Sequence, residues 1–150
     1  MLNDFDKQLL NIIQSDIPLV SRPFAVLAER LGADEATVIE RLRFLRENGF
    51  IRRIGPFFDS ARLGYVSTLV ALAVEPDDLP AVAAAVNAYP GVTHNYEREG
   101  AYNLWFALLS PNMAAQERVL AAVGGLPGIK RLLNLPATKK FKVNVRFTLE

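Results

Sequence analysis

The feature that most limits what this chain can fold into is a change of hydrophobic rhythm near residue 60. Up to that point the apolar residues recur with helical spacing. In "FDKQLLNIIQ", Phe5, Leu9, Ile12 and Ile13 fall on one face, at i, i+4, i+7 and i+8. Pro18 and Pro23 interrupt the chain afterwards. "PFAVLAERLG" reads as a second helix opened by Pro23 and closed by Gly32. "ADEATVIERLRFLRENG" reads as a third, with Asp34 as N-cap, a stripe of Val38, Leu42 and Leu45, and Gly49 as its stop. "FIRRIGPFFD" then predicts two short strands around a Gly55-Pro56 turn. Three helices followed by a hairpin is the order of a winged helix-turn-helix, placed at residues 1–60.

Residues 61–150 follow another pattern. "GYVSTLVALAVE" reads as a strand and "PDDLPAVAAAVNAYPG" as a helix whose first turn carries Asp77 and Asp78. "VTHNYERE" and "YNLWFALLS" read as strands joined by a turn at Gly100. "SPNMAAQERVLAAVGGLPG" is a helix, and "IKRLLNLP" and "KKFKVNVRFTLE" are closing strands. The fold class is therefore α+β: a winged helix-turn-helix followed by a ferredoxin-like βαββαβ domain. One face of such a sheet is covered by helices and the other is left free for a ligand.

Composition narrows the function. The chain has no cysteine and one histidine, which excludes thiolate catalysis, disulfides and cysteine-based metal sites and leaves His94 without a second imidazole to share a metal. A serine triad would have His94 as its only base, and no serine sits in a nucleophile elbow. There is no glycine-rich phosphate loop. The N-terminus lacks the basic and apolar regions of a signal peptide, and the longest apolar run is too short to span a bilayer, so a soluble cytoplasmic protein is expected. Residues 1–60 hold eight basic and nine acidic residues, a net of −1. The third helix opens "ADEA", which places carboxylates where a recognition helix would meet phosphates. Duplex binding needs the opposite charge, so the balance argues against DNA.

The chain's scarce chemistry is gathered in "THNYEREGAYNLWF", which contains the only histidine and the only tryptophan. Strand alternation puts His94, Tyr96 and Arg98 on one face, with Thr93, Asn95 and Glu97 on the other. Asn103 and Trp105 share a face of the next strand. An imidazole, a phenol and a guanidinium in a row suit a flat anionic ligand; the plainer alternative is an exposed histidine beside packing aromatics. Residues 130–146 carry six basic residues and no acidic one. On the last strand Lys140, Lys142, Asn144 and Arg146 would face away from Phe141, Val143, Val145 and Phe147, as a solvated outer face or as a stripe that attracts a polycarboxylate. Alternation sends Arg52 and Arg53 to opposite faces, so at most one of them points at a given ligand.

The order of elements resembles the Lrp/AsnC proteins, and "TVIERLRFLRENGFIRRIGPFFD" is similar to their recognition helix and wing. "RRIGPFFD", "AYPGVTHNYERE" and "YNLWFALLS" together resemble a narrower group, the siroheme decarboxylases, and the likeness runs through both domains. This resemblance implies a carboxy-lyase that removes the C12 and C18 acetate carboxyl groups of siroheme to give 12,18-didecarboxysiroheme in alternative heme or heme d1 biosynthesis. It implies no dissociable cofactor, the iron tetrapyrrole being the substrate, and a homologous subunit as partner, in a heterodimer or a homodimer. Under it His94 is either a proton donor or an axial contact to the siroheme iron, and Tyr96 joins it in acid/base work. Arg98 and one of Arg52 and Arg53 anchor carboxylates, Trp105 walls the pocket, and Lys140 and Lys142 add positive charge. The alternative reading is a DNA-binding regulator of the Lrp/AsnC type, or a heme-responsive sensor on that scaffold.

Overall fold

A computed structural model describes residues 1–56, 58–142 and 146–150. The chain divides into two compact units, Met1–Pro56 with Lys142–Glu150, and residues 57–141.

The first unit is built on three helices, α1 (Asp4–Ile13), α2 (Pro23–Leu31) and α3 (Glu35–Glu47). Local chemistry sets their ends. Asn3 and Asp6 form a reciprocal capping box at the start of α1. Pro23 opens α2, and Gly32 closes it at a φ of 63° that a side chain would resist. The Asp34 carboxylate accepts the Thr37 N–H and hydroxyl at the start of α3, which holds its pKa below the usual value. Leu9, Leu27, Val38, Leu42 and Leu45 bury together between the helices. Each contributes about 1.5–3 kcal/mol by leaving water.

One ion pair is built into this small core. Asp6 is fully buried, and Arg41 reaches it from α3 with Nε at 2.8 Å and Nη2 at 2.7 Å. The guanidinium also lies 4.3 Å from the Phe44 ring centroid. Arg41 lowers the pKa of the Asp6 carboxyl, and Asp6 raises that of Arg41.

The expected wing hairpin does not form: residues 50–56 and 58–59 contain no strand. Two strands this short have no third strand to pair with, and Pro56 withholds an N–H. The Arg53 guanidinium instead donates to the Pro56 carbonyl at 2.9 Å, closing a local loop. The opposite-face placement of Arg52 and Arg53, which assumed a strand, falls with the hairpin. The last expected strand is likewise not a strand over 139–142 and 146–150, so its sorting of lysines from apolar residues is lost there. Val143, Asn144 and Val145 lie outside the described residues. At the far end the chain docks on α1 by pairing with side chains: Gln14 bonds the Phe147 N–H and C=O, and Asn11 bonds those of Leu149. These backbone groups find partners without a sheet.

The second unit runs β1 (Val66–Val74), a 3₁₀ turn (Pro76–Asp78), α4 (Leu79–Asn87), β2 (Val92–Glu97), β3 (Leu104–Ser110), α5 (Met113–Gly124) and β4 (Ile129–Leu135). The strands are antiparallel in the order β2-β3-β1-β4, the arrangement expected for a ferredoxin-like unit. Burial alternates strictly along β3, with Leu104, Phe106 and Leu108 turned to the helices. They pack with Val70, Leu72, Val82, Val86 and Val123 into the unit's core. Asp77 and Asp78 occupy the 3₁₀ turn before α4 rather than the helix itself. Among the described residues no helix is long and apolar enough to cross a membrane.

Candidate functional site

The sheet face turned away from α4 and α5 carries the rare residues. The strand register sets them out in rows. His94 sits opposite Ala107 and Tyr96 opposite Trp105. Ala107 in turn faces Leu69 on β1, and Trp105 faces Ala71. An open depression of about 490 Å3 lies over this face, lined by His94, Tyr96, Arg98, Trp105, Ala107 and Leu69. Strand alternation thus brings together four of the residues singled out from the sequence: His94, Tyr96, Arg98 and Trp105.

The His94 and Tyr96 rings are 6.0 Å apart and tilted by 33°, neighbours along one strand edge without stacking. Trp105 is fixed by its indole N–H, which donates to the Tyr102 carbonyl at 2.8 Å. That bond leaves the ring as an apolar wall. His94 Nδ1 lies 3.1 Å from the Thr93 hydroxyl oxygen, which leaves Nε2 as the ring nitrogen open to a ligand. Tyr96 is about half exposed, at 52%, so its phenol is available to a molecule in the depression.

Two side chains depart from simple alternation. A bulge between Val92 and His94 inserts one extra residue into β2. Thr93 therefore does not join Asn95 and Glu97 on the helix-covered face but comes beside the His94 ring. Asn95 does face the helices, donating to the Ala83 carbonyl and the Asn87 side chain. Asn103 turns into the plane of the sheet rather than standing with Trp105. Its amide accepts from the Val74 N–H and donates to the Val74 C=O, both at 2.9 Å, extending the ladder by one side chain.

The remaining candidates are placed differently. Arg52 and Arg53 are exposed residues of the first unit. Lys140 is exposed and does not line the depression, and Lys142 groups with the first unit. Sequence reading missed Leu69, Ala107 and Thr93. Alternation alone places Ala107 beside Trp105, but Leu69 needs the strand register and Thr93 needs the bulge, and no local pattern announces either. Among the described residues no three histidine or acidic side chains come together as a metal site, and the depression offers His94 alone as a nitrogen ligand.

The class of protein follows from the two units. A helix-turn-helix joined to a βαββαβ sheet is the Lrp/AsnC architecture, and the fold is shared with E. coli AsnC, at a TM-score of 0.82, 18% identity, and coverage of 97% of both chains. Residues 6–52 match the model of the siroheme decarboxylase NirDL-like HTH domain, and residues 62–142 that of the AsnC-like ligand binding domain. The siroheme decarboxylase alpha subunit of Desulfovibrio desulfuricans is 48% identical, over 99% of this chain and 86% of that protein. The crystal structure of the siroheme decarboxylase NirDL in co-complex with an iron-uroporphyrin III analogue matches at a TM-score of 0.72 and 41% identity. That match covers 95% of this chain and 48% of the other, so this chain spans about half the length of NirDL. The chain belongs to the siroheme decarboxylase family of Lrp/AsnC-like proteins.

Proposed function

We propose that this chain is a subunit of a siroheme decarboxylase, removing the C12 and C18 acetate carboxyl groups of siroheme together with a homologous subunit. The observation that carries the reading is the convergence of His94, Tyr96, Arg98 and Trp105 on one open depression, in a chain similar over its full length to an alpha subunit of that enzyme.

The chemistry asks little of a protein beyond binding and a proton. In each step the bond between the acetate methylene and its carboxylate breaks, CO2 leaves, and the electron pair passes into the macrocycle. A proton delivered to the former methylene carbon leaves a methyl group. His94 Nε2 meets the iron or supplies that proton, with the Thr93 hydroxyl holding the other ring nitrogen. The Tyr96 phenol is the second proton-bearing group beside it. Arg98 pairs with a peripheral carboxylate, a contact its planar fork makes bidentately. The fixed Trp105 indole and Ala107 give the ring an apolar surface to lie on.

Anaerobic incubation with siroheme, with and without the homologous subunit, tests this. A product lighter than siroheme by two CO2 is expected. Unchanged substrate mass in both, with the complex assembled, rejects the reading. The helix-turn-helix keeps a DNA-binding regulator as the second reading. Against it, four of the eight cations of residues 1–60 are held by carboxylates: Lys7 by Asp4, Arg22 by Glu35, Arg30 by Asp16 and Arg41 by Asp6. Salt-dependent retention on a defined operator would favour the regulator.

A further inference from the structure

The free sheet face has a second cationic edge opposite Arg98. Beyond the rows of His94 and Tyr96, the register continues to Arg98, whose N–H donates to the Asn103 carbonyl. On β4, Arg131 pairs with Ala73 of β1, while its neighbour Leu132 turns to the core. Arg131 therefore stands on the same face as Arg98, Trp105 and Tyr96, at the other border of the sheet and beyond the residues that line the depression. Carried one step past the last β1–β3 pair, Leu72 with Leu104, the register sets Asn103 level with Ala73, so that the row runs Arg98, Asn103, Ala73, Arg131.

Nothing tall stands between the two arginines in that row. Ala73 has only a methyl group, and the Asn103 amide lies in the sheet plane, bonded to Val74. Three strand spacings of about 4.8 Å separate the two residues, roughly 14 Å between backbones. Two long guanidinium side chains can close that gap onto the rim of one flat molecule. The adjacent cation is not equivalent. Lys130 falls at a register shift and is paired with Glu75, whereas Arg131 is exposed and has no carboxylate partner among the described residues.

We propose that Arg131 is a substrate-binding residue, clasping a carboxylate on the rim of the tetrapyrrole opposite the one held by Arg98. This rests on the siroheme reading above and adds to it a selectivity rule: the site prefers tetrapyrroles with carboxylates on two opposed sides of the ring. A ring with carboxylates on one side only engages one of the two arginines.

The test uses the complex with its homologous subunit, reading the Soret band during titration with siroheme, iron uroporphyrin and the carboxylate-poor iron protoporphyrin. Arg131→Gln should weaken siroheme and iron uroporphyrin about tenfold or more, the range for a lost charge-assisted contact. It should leave iron protoporphyrin nearly unchanged, so the preference between the rings narrows. Arg131→Lys should recover part of the loss, and Lys139→Gln, outside the row, should bind as wild type. Wild-type affinity in Arg131→Gln while Arg98→Gln is weakened overturns the proposal and leaves the siroheme reading standing. Equal weakening by Lys139→Gln also overturns it, since a general positive field would then suffice. Failure of the wild-type complex to bind siroheme overturns both.

Discussion

Removing Arg41 should cost the first unit a large part of its stability. Asp6 is fully buried, and two of its contacts are the Arg41 Nε and Nη2 at 2.8 and 2.7 Å. In Arg41→Ala the carboxylate would keep the Asn3 N–H at 3.0 Å and little else. Breaking a buried pair on one side costs about 3–5 kcal/mol. The Arg41 side chain is 24% exposed, so water can reach the gap, and about 3 kcal/mol is the expected figure. In a chain of this length that is a fall in Tm of roughly 6–12 °C. Urea unfolding of wild type, Arg41→Ala, Asp6→Ala and the double variant gives the coupling energy directly.

The pH dependence adds a signed check. Arg41 holds the Asp6 carboxyl below its ordinary value of 3.8. The pair therefore contributes fully above that value, and the contribution fades as pH falls through the depressed pKa. The gap between wild type and Arg41→Ala should close on acidification below about pH 4. A coupling energy under about 0.5 kcal/mol, or a gap unchanged by acid, would refute the argument. The result bears on function, because a guanidinium committed to Asp6 is not free to meet phosphate.

Three further outcomes follow from the second unit. His94→Ala should abolish or alter the Soret signature of bound siroheme while changing stability by no more than about 0.5 kcal/mol, since the ring is exposed; an unaltered spectrum with full activity would remove His94 from the site. Asn103→Ala should cost about 2 kcal/mol, because the buried Val74 loses partners for both its N–H and C=O, and hydrogen exchange at Val74 should speed up accordingly. Gly91→Ala should destabilise by about 1–3 kcal/mol, as its Cβ would come within 2.1 Å of the Leu109 carbonyl oxygen; a variant that melts with wild type would show that β2 and β3 can part there at no cost.

How much could be read without coordinates depends on how far apart the interacting residues are. The helices of the first unit were legible because their signals are local. Asn3, Pro23, Gly32 and Asp34 act within a turn of their own positions. The order of strands and helices was legible for the same reason. The hairpin, over residues 50–56 and 58–59, and the terminal strand, over 139–142 and 146–150, were misread because β-branched and apolar content says only that a segment would suit a sheet. A strand also needs a neighbour, and the chain found Gln14 and Asn11 for Phe147 and Leu149 instead.

The same division runs through the site. That His94, Tyr96 and Arg98 share an edge is legible in one short stretch, because a strand's period of two is a property of the backbone. Composition also rules out thiol and multi-histidine chemistry. What stands next to these residues is set by the pairing and order of the strands. The β2-β3-β1-β4 order sets Trp105 beside Tyr96 and puts Ala71 and Ala73 in the middle of the face, and it carries Arg131 to the far border. The bulge before His94 brings Thr93 to the imidazole. Register and bulges are settled by the packing of Phe106, Leu108 and Val70 against the helices. That packing depends on residues scattered over the whole second unit, so no single stretch of sequence contains it.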